Sequence, residues 1–371
     1  MSRRILILGG YGHTGRLIAD LLLQFTDARV VIAGRNSERA IAQADSLNER
    51  YSGDRSTANQ VDATVPSELR TACEDVDFII NASGTSDQTR LIMDTILGMK
   101  IDYLDTQYSN HKVGTLESMR MMIADSKTCV ITDGGFHPGL PAAMVRYAAS
   151  KFDAIRTTHI GSVIRQDWRG IHVSESTATE LADAFRDYQM EVYSQGKWDS
   201  GWTNSRTFDF GEPWGEKKCA SMALGEMREI PDRYPSLEET GFYVAGFHWF
   251  VDNVVMMLGW LGMQLWPSVV RRRLGRLLVW SLAKTSKPPF GTIVQLDAEG
   301  TLNGESRKFR MRITHADGYY LTAAPVVACL MEYLDGEIGG SGLWYQANIV
   351  KPDRFFDDLR KMDVSVKVEE L

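Results

Sequence analysis

Cysteine is scarce in this chain. The four, Cys73, Cys129, Cys219 and Cys329, are far apart, with no C-x-x-C pair and no histidine at metal-ligand spacing to any of them. That excludes a disulfide framework and leaves no metal site to expect. A cationic excess is missing as well: 41 Lys plus Arg against 48 Asp plus Glu give a net charge of −7. Without such an excess, and without an RNP, zinc-finger or basic-arm pattern, nucleic acid is not expected as a partner. The start, Met1-Ser2-Arg3-Arg4 and then four apolar residues, is too short for a signal-peptide core and lacks a small-residue cleavage site. Internal repeats and low-complexity segments are absent too. What remains is a chain expected in the reducing cytoplasm, with 371 residues, 44% of them apolar, enough for about two domains.

Up to about residue 133, short β-branched runs alternate with helical patterns. The runs are Ile5 to Leu8, Val30 to Ala33, Asn59 to Val61, Asp77 to Ile80, Ile101 to Leu104 and Thr128 to Ile131. Helical spacing fills Thr14 to Leu23 and Ser37 to Arg50, and Pro66 suits a first helical turn. Six such strands with right-handed crossovers predict an α/β fold, a doubly wound parallel sheet. The alternation stops at Gly134-Gly135-Phe136-His137-Pro138-Gly139, which places a boundary near residue 138. Beyond it the patterns predict a strand (Ile155 to Ile164), a helix (Ser176 to Tyr193) and an aromatic, Gly-rich stretch from Gly196 to Trp214. Next come a hairpin, Thr292 to Leu302 and Arg307 to Thr314 joined by Asn303-Gly304, and a helix from Asp317-Gly318 to about Leu334. The tail offers a helix (Arg354 to Lys361) and a strand (Val364 to Val368).

Gly10-Tyr11-Gly12-His13-Thr14-Gly15 matches G-x-G-x-x-G between the first strand and the first helix, the context that gives this pattern its meaning. Gly10 permits the tight turn, Gly12 lets a pyrophosphate approach the backbone, and Gly15 lets the helix pack closely on the strand. The helix start supplies amides and positive dipole to phosphates. Where an NAD-specific site offers a carboxylate to the ribose, this chain has Gly34-Arg35-Asn36-Ser37. A cation and hydrogen-bonding groups there favour the 2′-phosphate of NADP over NAD. Two later strand ends are expected on the same edge: Asn81-Ala82-Ser83-Gly84, whose small residues suit the ribose and nicotinamide, and Asp105-Thr106-Gln107-Tyr108, with acidic and phenolic groups.

The chain resembles the saccharopine dehydrogenase-like family of NAD(P)-dependent oxidoreductases. The matching pieces are Gly9 to Gly15, Ala33-Gly34-Arg35, Val61-Asp62-Ala63, Tyr103-Leu104-Asp105-Thr106 and the Gly134 to Gly139 block, similar to the family's G-[LF]-D-P-G turn. The resemblance implies a Rossmann domain (1–137 plus about 323–371) that receives the late helix, an inserted α+β substrate domain (138–322), and a homodimer. It implies hydride transfer at a C–N bond, between an imine and a secondary amine, on a small-molecule substrate. Gly10, Tyr11, Gly12, His13, Thr14, Gly15, Arg35, Asn36, Asp62, Ala82, Ser83 and Gly84 would hold the cofactor. His137 stands where relatives commonly carry Asp, and with an ordinary pKa of about 6.5 it could give or take a proton near neutrality, as could Tyr108. No assured set of arginines clamps two substrate carboxylates, although Arg156, Arg165, Arg169 and Arg206 are candidate donors.

One stretch points elsewhere. Val254 to Trp266 is thirteen residues without a formal charge, about 20 Å as a helix against a hydrocarbon core of about 30 Å, too short to span. In the next stretch Val270, Leu274, Leu277 and Leu278 share a helical face while Arg271, Arg272, Arg273 and Arg276 add charge. Residues 254–283 therefore read as a buried helix pair, as a peripheral membrane contact on anionic lipid, or as a substrate tunnel lined by Met256, Met257, Trp260 and Met263. Two alternatives to C–N chemistry stay open with them: an enoyl-type reductase of lipid-like substrates, and an NADP-binding, membrane-associated protein without turnover.

Overall fold

The computed structural model describes residues 2–169, 188–200, 204–246 and 267–371. The chain runs β1 (Arg4–Leu8), α1 (His13–Phe25), β2 (Arg29–Gly34), α2 (Ser37–Arg50), β3 (Ser56–Gln60), α3 (Pro66–Ala72), β4 (Phe78–Asn81) and α4 (Thr89–Met99). Then come β5 (Asp102–Asp105), α5 (Asn110–Ser118), α6 (Arg120–Ser126), β6 (Cys129–Thr132) and α7 (Pro141–Ala149). The described middle holds β7 (Ala154–Arg165), β8 (Val192–Ser194), β9 (Lys197–Asp199), β10 (Ser205–Asp209), β11 (Glu216–Met222), β12 (Glu239–Ala245), α8 (Pro267–Thr285), β13 (Gly291–Leu302) and β14 (Glu305–His315). It ends with α9 (Gly318–Leu334), β15 (Gly342–Tyr345), α10 (Pro352–Lys361) and β16 (Ser365–Glu370). Two compact units result, Met1–Ala143 with Tyr319–Asp363 and Met144–Gly318 with Val364–Leu371.

The first unit is a seven-stranded sheet of order β15-β6-β5-β4-β1-β2-β3, parallel at every pairing. Its strands are apolar runs because helices cover both faces. Leu6, Leu8, Val31, Ala33, Ile79, Tyr103 and Val130 form one face, packed with Leu69, Ile92, Ile96, Leu116 and Ile123 from the helices. The apolar side of α9 is buried as well, and its Tyr333 ring meets Phe78 of β4 edge to face at 4.8 Å. The order reverses between β1 and β4, the switch point at which ligands of such sheets bind. One strand more than the six expected is present: β15 extends the sheet beside β6.

The second unit is a mixed sheet of order β10-β11-β12-β7-β13-β14-β16, with β8 pairing β12 and β9. Asn303 and Gly304 turn the β13–β14 hairpin with φ of 55° and 80°, the pair of positive angles a type I′ turn requires. Three expectations change here. The stretch 176–187 lies outside the described residues, and the end of the helix expected over Ser176 to Tyr193 is the strand β8. Backbone pairing of Tyr193 and Ser194 with β12 overrides local helical spacing there. The tail strand β16, assigned from the sequence to the first domain, completes the second sheet by pairing with β14. In α8, Leu274, Leu278 and Leu282 make the buried stripe, while Leu277 is 44% exposed, because a four-residue step follows the helix face and Leu277 falls beside it. Val254 to Trp266, with its tunnel candidates, lies outside the described residues. Among those described, no helix is long and apolar enough to cross a membrane.

Candidate cofactor and active site

Every strand of the first sheet ends on the same edge, since all are parallel, and the loops after them gather most of the residues singled out from the sequence. After β1, Gly9 (φ +76°) and Gly15 are forced by close approach. A methyl group on Gly9 would sit 2.6 Å from the Ala82 carbonyl oxygen, and one on Gly15 would sit 2.2 Å from the Gly9 carbonyl oxygen. The Gly9 N–H donates to Ala33 O at 2.9 Å and the Gly10 N–H to Ile7 O at 3.1 Å, so the loop is pinned to β1 and β2. Extended Gly12 then opens α1 with no side-chain cap and no acidic residue in the first turn. That is a helix start suited to an anion. His13, at the first position of α1, stacks on Tyr319 of α9 with ring centroids 4.9 Å apart, and Thr14 follows in the same turn.

Tyr11 joins this loop to the end of β2. Its ring lies against Gly34, and its hydroxyl accepts the Asn36 N–H at 3.0 Å. Arg35 is exposed at the strand end. Asn36 serves the helix: its side chain accepts the Arg39 N–H at 2.8 Å as the cap of α2. Arg39, which sequence reasoning missed, places its guanidinium 4.7 Å from the Tyr11 ring centroid, so two arginines flank the position open to a 2′-phosphate. The available signal was a second arginine four places after Arg35. Asp62 follows β3, and its Oδ1 accepts the Thr64 N–H at 2.9 Å and the Thr64 hydroxyl at 2.7 Å. Those bonds hold its carboxyl below the usual range. The side chain is thus engaged in a local turn rather than presented to the other site loops.

After β4, the Ala82 N–H donates to Leu8 O at 3.0 Å, and the Ser83 hydroxyl donates to Asn81 Oδ1 at 2.7 Å. Ala82 and Ser83 therefore abut the glycine loop, with exposed Gly84 beyond. After β5, the carboxylate of Asp105 turns inward: it is fully buried against the Lys112 ammonium of α5. Lys112 also reaches Asp133 Oδ1 at 2.8 Å, just past β6. Sequence reasoning placed Asp105 toward the cofactor and missed Lys112 and Asp133, because a helix lysine ordinarily reads as solvated. Burial raises the Asp133 carboxyl against the pull of Lys112.

Tyr108 and His137 stand at the ends of the neighbouring strands β5 and β6. Tyr108 precedes Ser109, the cap of α5. His137 stacks on Phe136 with ring centroids 4.2 Å apart, in a turn that Gln346 Nε2 fixes by donating to Gly135 O at 3.1 Å. Loss of hydration pushes the His137 imidazole down to about 4, so it is neutral at pH 7, in contrast to the ordinary value assumed from the sequence. Of the candidate carboxylate clamps, Arg156 pairs with Glu238 and Arg169 with Asp167 on the surface, while Arg165 lies over Trp214. Lys308 holds the Glu299 carboxyl below its usual range, and Arg206 acts on it together with Arg156.

Residues 5–129 match the family model described as the saccharopine dehydrogenase NADP binding domain. Among solved structures, the chain is similar to the apo histidine-tagged saccharopine dehydrogenase (L-Glu forming) from Saccharomyces cerevisiae, with TM-score 0.69 and 14% identity over 100% of both chains. A myo-inositol dehydrogenase from Corynebacterium glutamicum also aligns, with TM-score 0.47 and 13% identity over 100% of this chain and 99% of that one. No curated protein matches the sequence. At these identities the structural likeness is one of fold.

Proposed function

We propose that the chain, whose residues 5–129 match the saccharopine dehydrogenase NADP binding domain model, is a saccharopine dehydrogenase-like, NAD(P)-dependent oxidoreductase that acts at a C–N bond, interconverting an imine and a secondary amine. The observation that carries this reading is the carboxyl edge of the first sheet. There a glycine cradle too tight for a methyl group, exposed Arg35, and a neutral histidine follow strands of one parallel sheet.

NADP, when bound, supplies or accepts the hydride. The amides of Gly10 to Gly15 bind the pyrophosphate, with Tyr11, His13 and Thr14 shaping the loop. Arg35, next to the Asn36 cap, holds the 2′-phosphate, and Ala82, Ser83 and Gly84 flank the nicotinamide ribose; Asp62 braces the loop after β3. In the amine-to-imine direction the amine loses a C–H hydride and an N–H proton. His137, neutral because it is desolvated, takes that proton on a ring nitrogen. In the reverse direction the protonated His137 returns that proton to the nitrogen, with the Tyr108 hydroxyl as the alternative carrier of the same proton.

The test is NADPH oxidation by the purified protein with imines formed from amino acids and carbonyl compounds. Turnover that His137→Ala and Tyr108→Phe abolish, with NADPH affinity intact, supports the assignment; unchanged turnover in both variants removes it. Turnover of enoyl thioesters alone would move the protein to the enoyl-type alternative. NADPH binding without turnover would favour the non-catalytic one.

A second reading has its own observation. On α8, Trp280 is 55% and Leu277 44% exposed, next to the exposed cations Arg273 and Arg276. That mixture suits a peripheral membrane contact on anionic lipid. Co-sedimentation with phosphatidylserine vesicles, lost in Leu277→Ser/Trp280→Ser, tests it; equal recovery with neutral vesicles would refute the electrostatic part. We further read the protein as a cytoplasmic homodimer, in line with its family resemblance, and light scattering gives the oligomeric state.

A further inference from the structure

Three loops make up the half of the cofactor edge assigned above to the nicotinamide, and one buried side chain joins them. Lys112 Nζ donates to Asp105 Oδ1 at the end of β5, to the Gln107 carbonyl oxygen at 2.5 Å in the following loop, and to Asp133 Oδ1 at 2.8 Å past β6. An ammonium has three protons, and all three are used. Lys112 and Asp105 are wholly buried, and Asp133 is 5% exposed.

The acceptors are themselves held. The Thr132 hydroxyl donates to Asp105 at 3.0 Å, and the Asp133 N–H donates to Asp105 Oδ1 at 3.3 Å. Gln107 carries the network one strand further, since its side-chain amide donates to the Ser83 carbonyl oxygen after β4. The Ser83 hydroxyl in turn donates to Asn81 Oδ1, while the Asn81 amide donates to the Tyr103 hydroxyl at 3.0 Å. The ends of β4, β5 and β6 are therefore one hydrogen-bonded piece with Lys112 at its centre.

A buried charge cluster is a weak source of stability, because desolvation offsets most of the attraction. Its distinctive property is that it permits only one geometry. We propose that Lys112 is a positioning residue for the nicotinamide half of the cofactor site, fixing through Asp105, Asp133 and Gln107 where the loops bearing Ser83, Tyr108 and His137 stand. A lysine whose three protons are committed to buried acceptors donates none to substrate, so the role is positioning rather than catalytic. The proposal rests on the cofactor reading above.

The test needs no substrate. Adenosine 2′,5′-bisphosphate carries only the half of NADP that the β1 and β2 loops bind, whereas NADPH also reaches the β4 to β6 loops. In Lys112→Met, the dissociation constant for the bisphosphate should stay within about twofold of wild type while that for NADPH rises about tenfold, with altered emission from the bound nicotinamide. A general loss of structure would weaken both ligands together, and that outcome in a folded variant overturns the proposal. So do unchanged affinities with unchanged emission. If Lys112→Met does not fold, Asp133→Asn, which keeps the Lys112–Asp105 pair, must show the same split in weaker form, and its absence is equally decisive. Wild-type protein that binds neither nucleotide overturns the cofactor reading itself, and the positioning role with it.

Discussion

Gly15→Ala and Gly98→Ala make the same chemical change in two helices of one unit, and the structure gives them opposite signs. At Gly15 the new methyl group would meet the Gly9 carbonyl oxygen at 2.2 Å and the Gly10 Cα at 2.9 Å. These are backbone atoms already held by the Gly9 N–H bond to Ala33 and the Gly10 N–H bond to Ile7. Overpacking of this kind costs about 1–3 kcal/mol, and the gain of alanine over glycine in a helix returns at most about 1 kcal/mol of it. A net loss of about 1–2 kcal/mol lowers the melting temperature of a unit this size by about 3–6 °C. Gly98, exposed in α4, has nothing within 4 Å of the added carbon, so the helix gain stands alone and the melting temperature rises by about 2 °C. Thermal unfolding followed by circular dichroism reads both. NADPH titration should show weaker binding only for Gly15→Ala, because relief of the overlap moves the phosphate loop. Melting of Gly15→Ala at or above wild type, or shifts of the same sign in both variants, would refute the close-approach argument.

Other outcomes follow from the same edge and from the core beneath it. Arg35→Asp should weaken NADPH about tenfold or more while leaving NADH nearly unchanged, and Arg39→Ala should do the same to a lesser degree; parallel titrations check both. Burial pushes the Glu332 carboxyl in α9 up to about 7, with the Lys351 N–H donating to its Oε2 at 2.8 Å. The folded protein keeps that proton while the unfolded chain releases it near 4.5, so stability falls as pH rises from about 4.5 to 7, by up to about 3 kcal/mol. Glu332→Gln should flatten this slope in urea titrations and be the more stable protein above pH 7; superimposable pH profiles would sink the assignment. For His137, lowered to about 4, the unfolded chain takes up a proton below about 6.5 that the folded one refuses, so its contribution is lost as pH falls toward 4. Wild-type amine oxidation should accordingly show no kinetic limb near pH 6.5 from this histidine.

The parallel strands were legible because a strand covered on both faces must be an apolar run, and Ile5 to Leu8 or Val30 to Ala33 can be little else. The glycine loop was legible because its spacing is set by close approaches that any other side chain would block. β15 was not: only Leu343 and Tyr345 of its four residues are buried apolar side chains, and its partner β6 lies some two hundred residues earlier in the sequence. Lys112 was hidden for a related reason. Its acceptors, Asp105, Gln107 and Asp133, become neighbours only once β5 and β6 are paired, so no local pattern marks it. The low proton affinity of His137 follows from burial, which the sequence around it does not encode. Arg39 lay in plain view, but only the Tyr11 ring beneath it turns a helix arginine into a site residue.

The way the two units share the backbone has a consequence for how the protein is made. The chain passes from one unit to the other after residues 143, 318 and 363. When the ribosome has delivered β1 to β6, the first sheet still lacks β15, and the helices α9 and α10 are not yet synthesised. Every strand of the second sheet except β16 emerges before those pieces do. During that interval the apolar face that α9 will cover, including Phe78, stands open, and β6 remains an unpaired edge. Neither unit can finish folding as it leaves the ribosome, since each closes with segments taken from the last sixth of the sequence. Assembly of this protein is therefore a late, concerted event, and nascent chains shorter than about 363 residues are the ones that chaperones must hold.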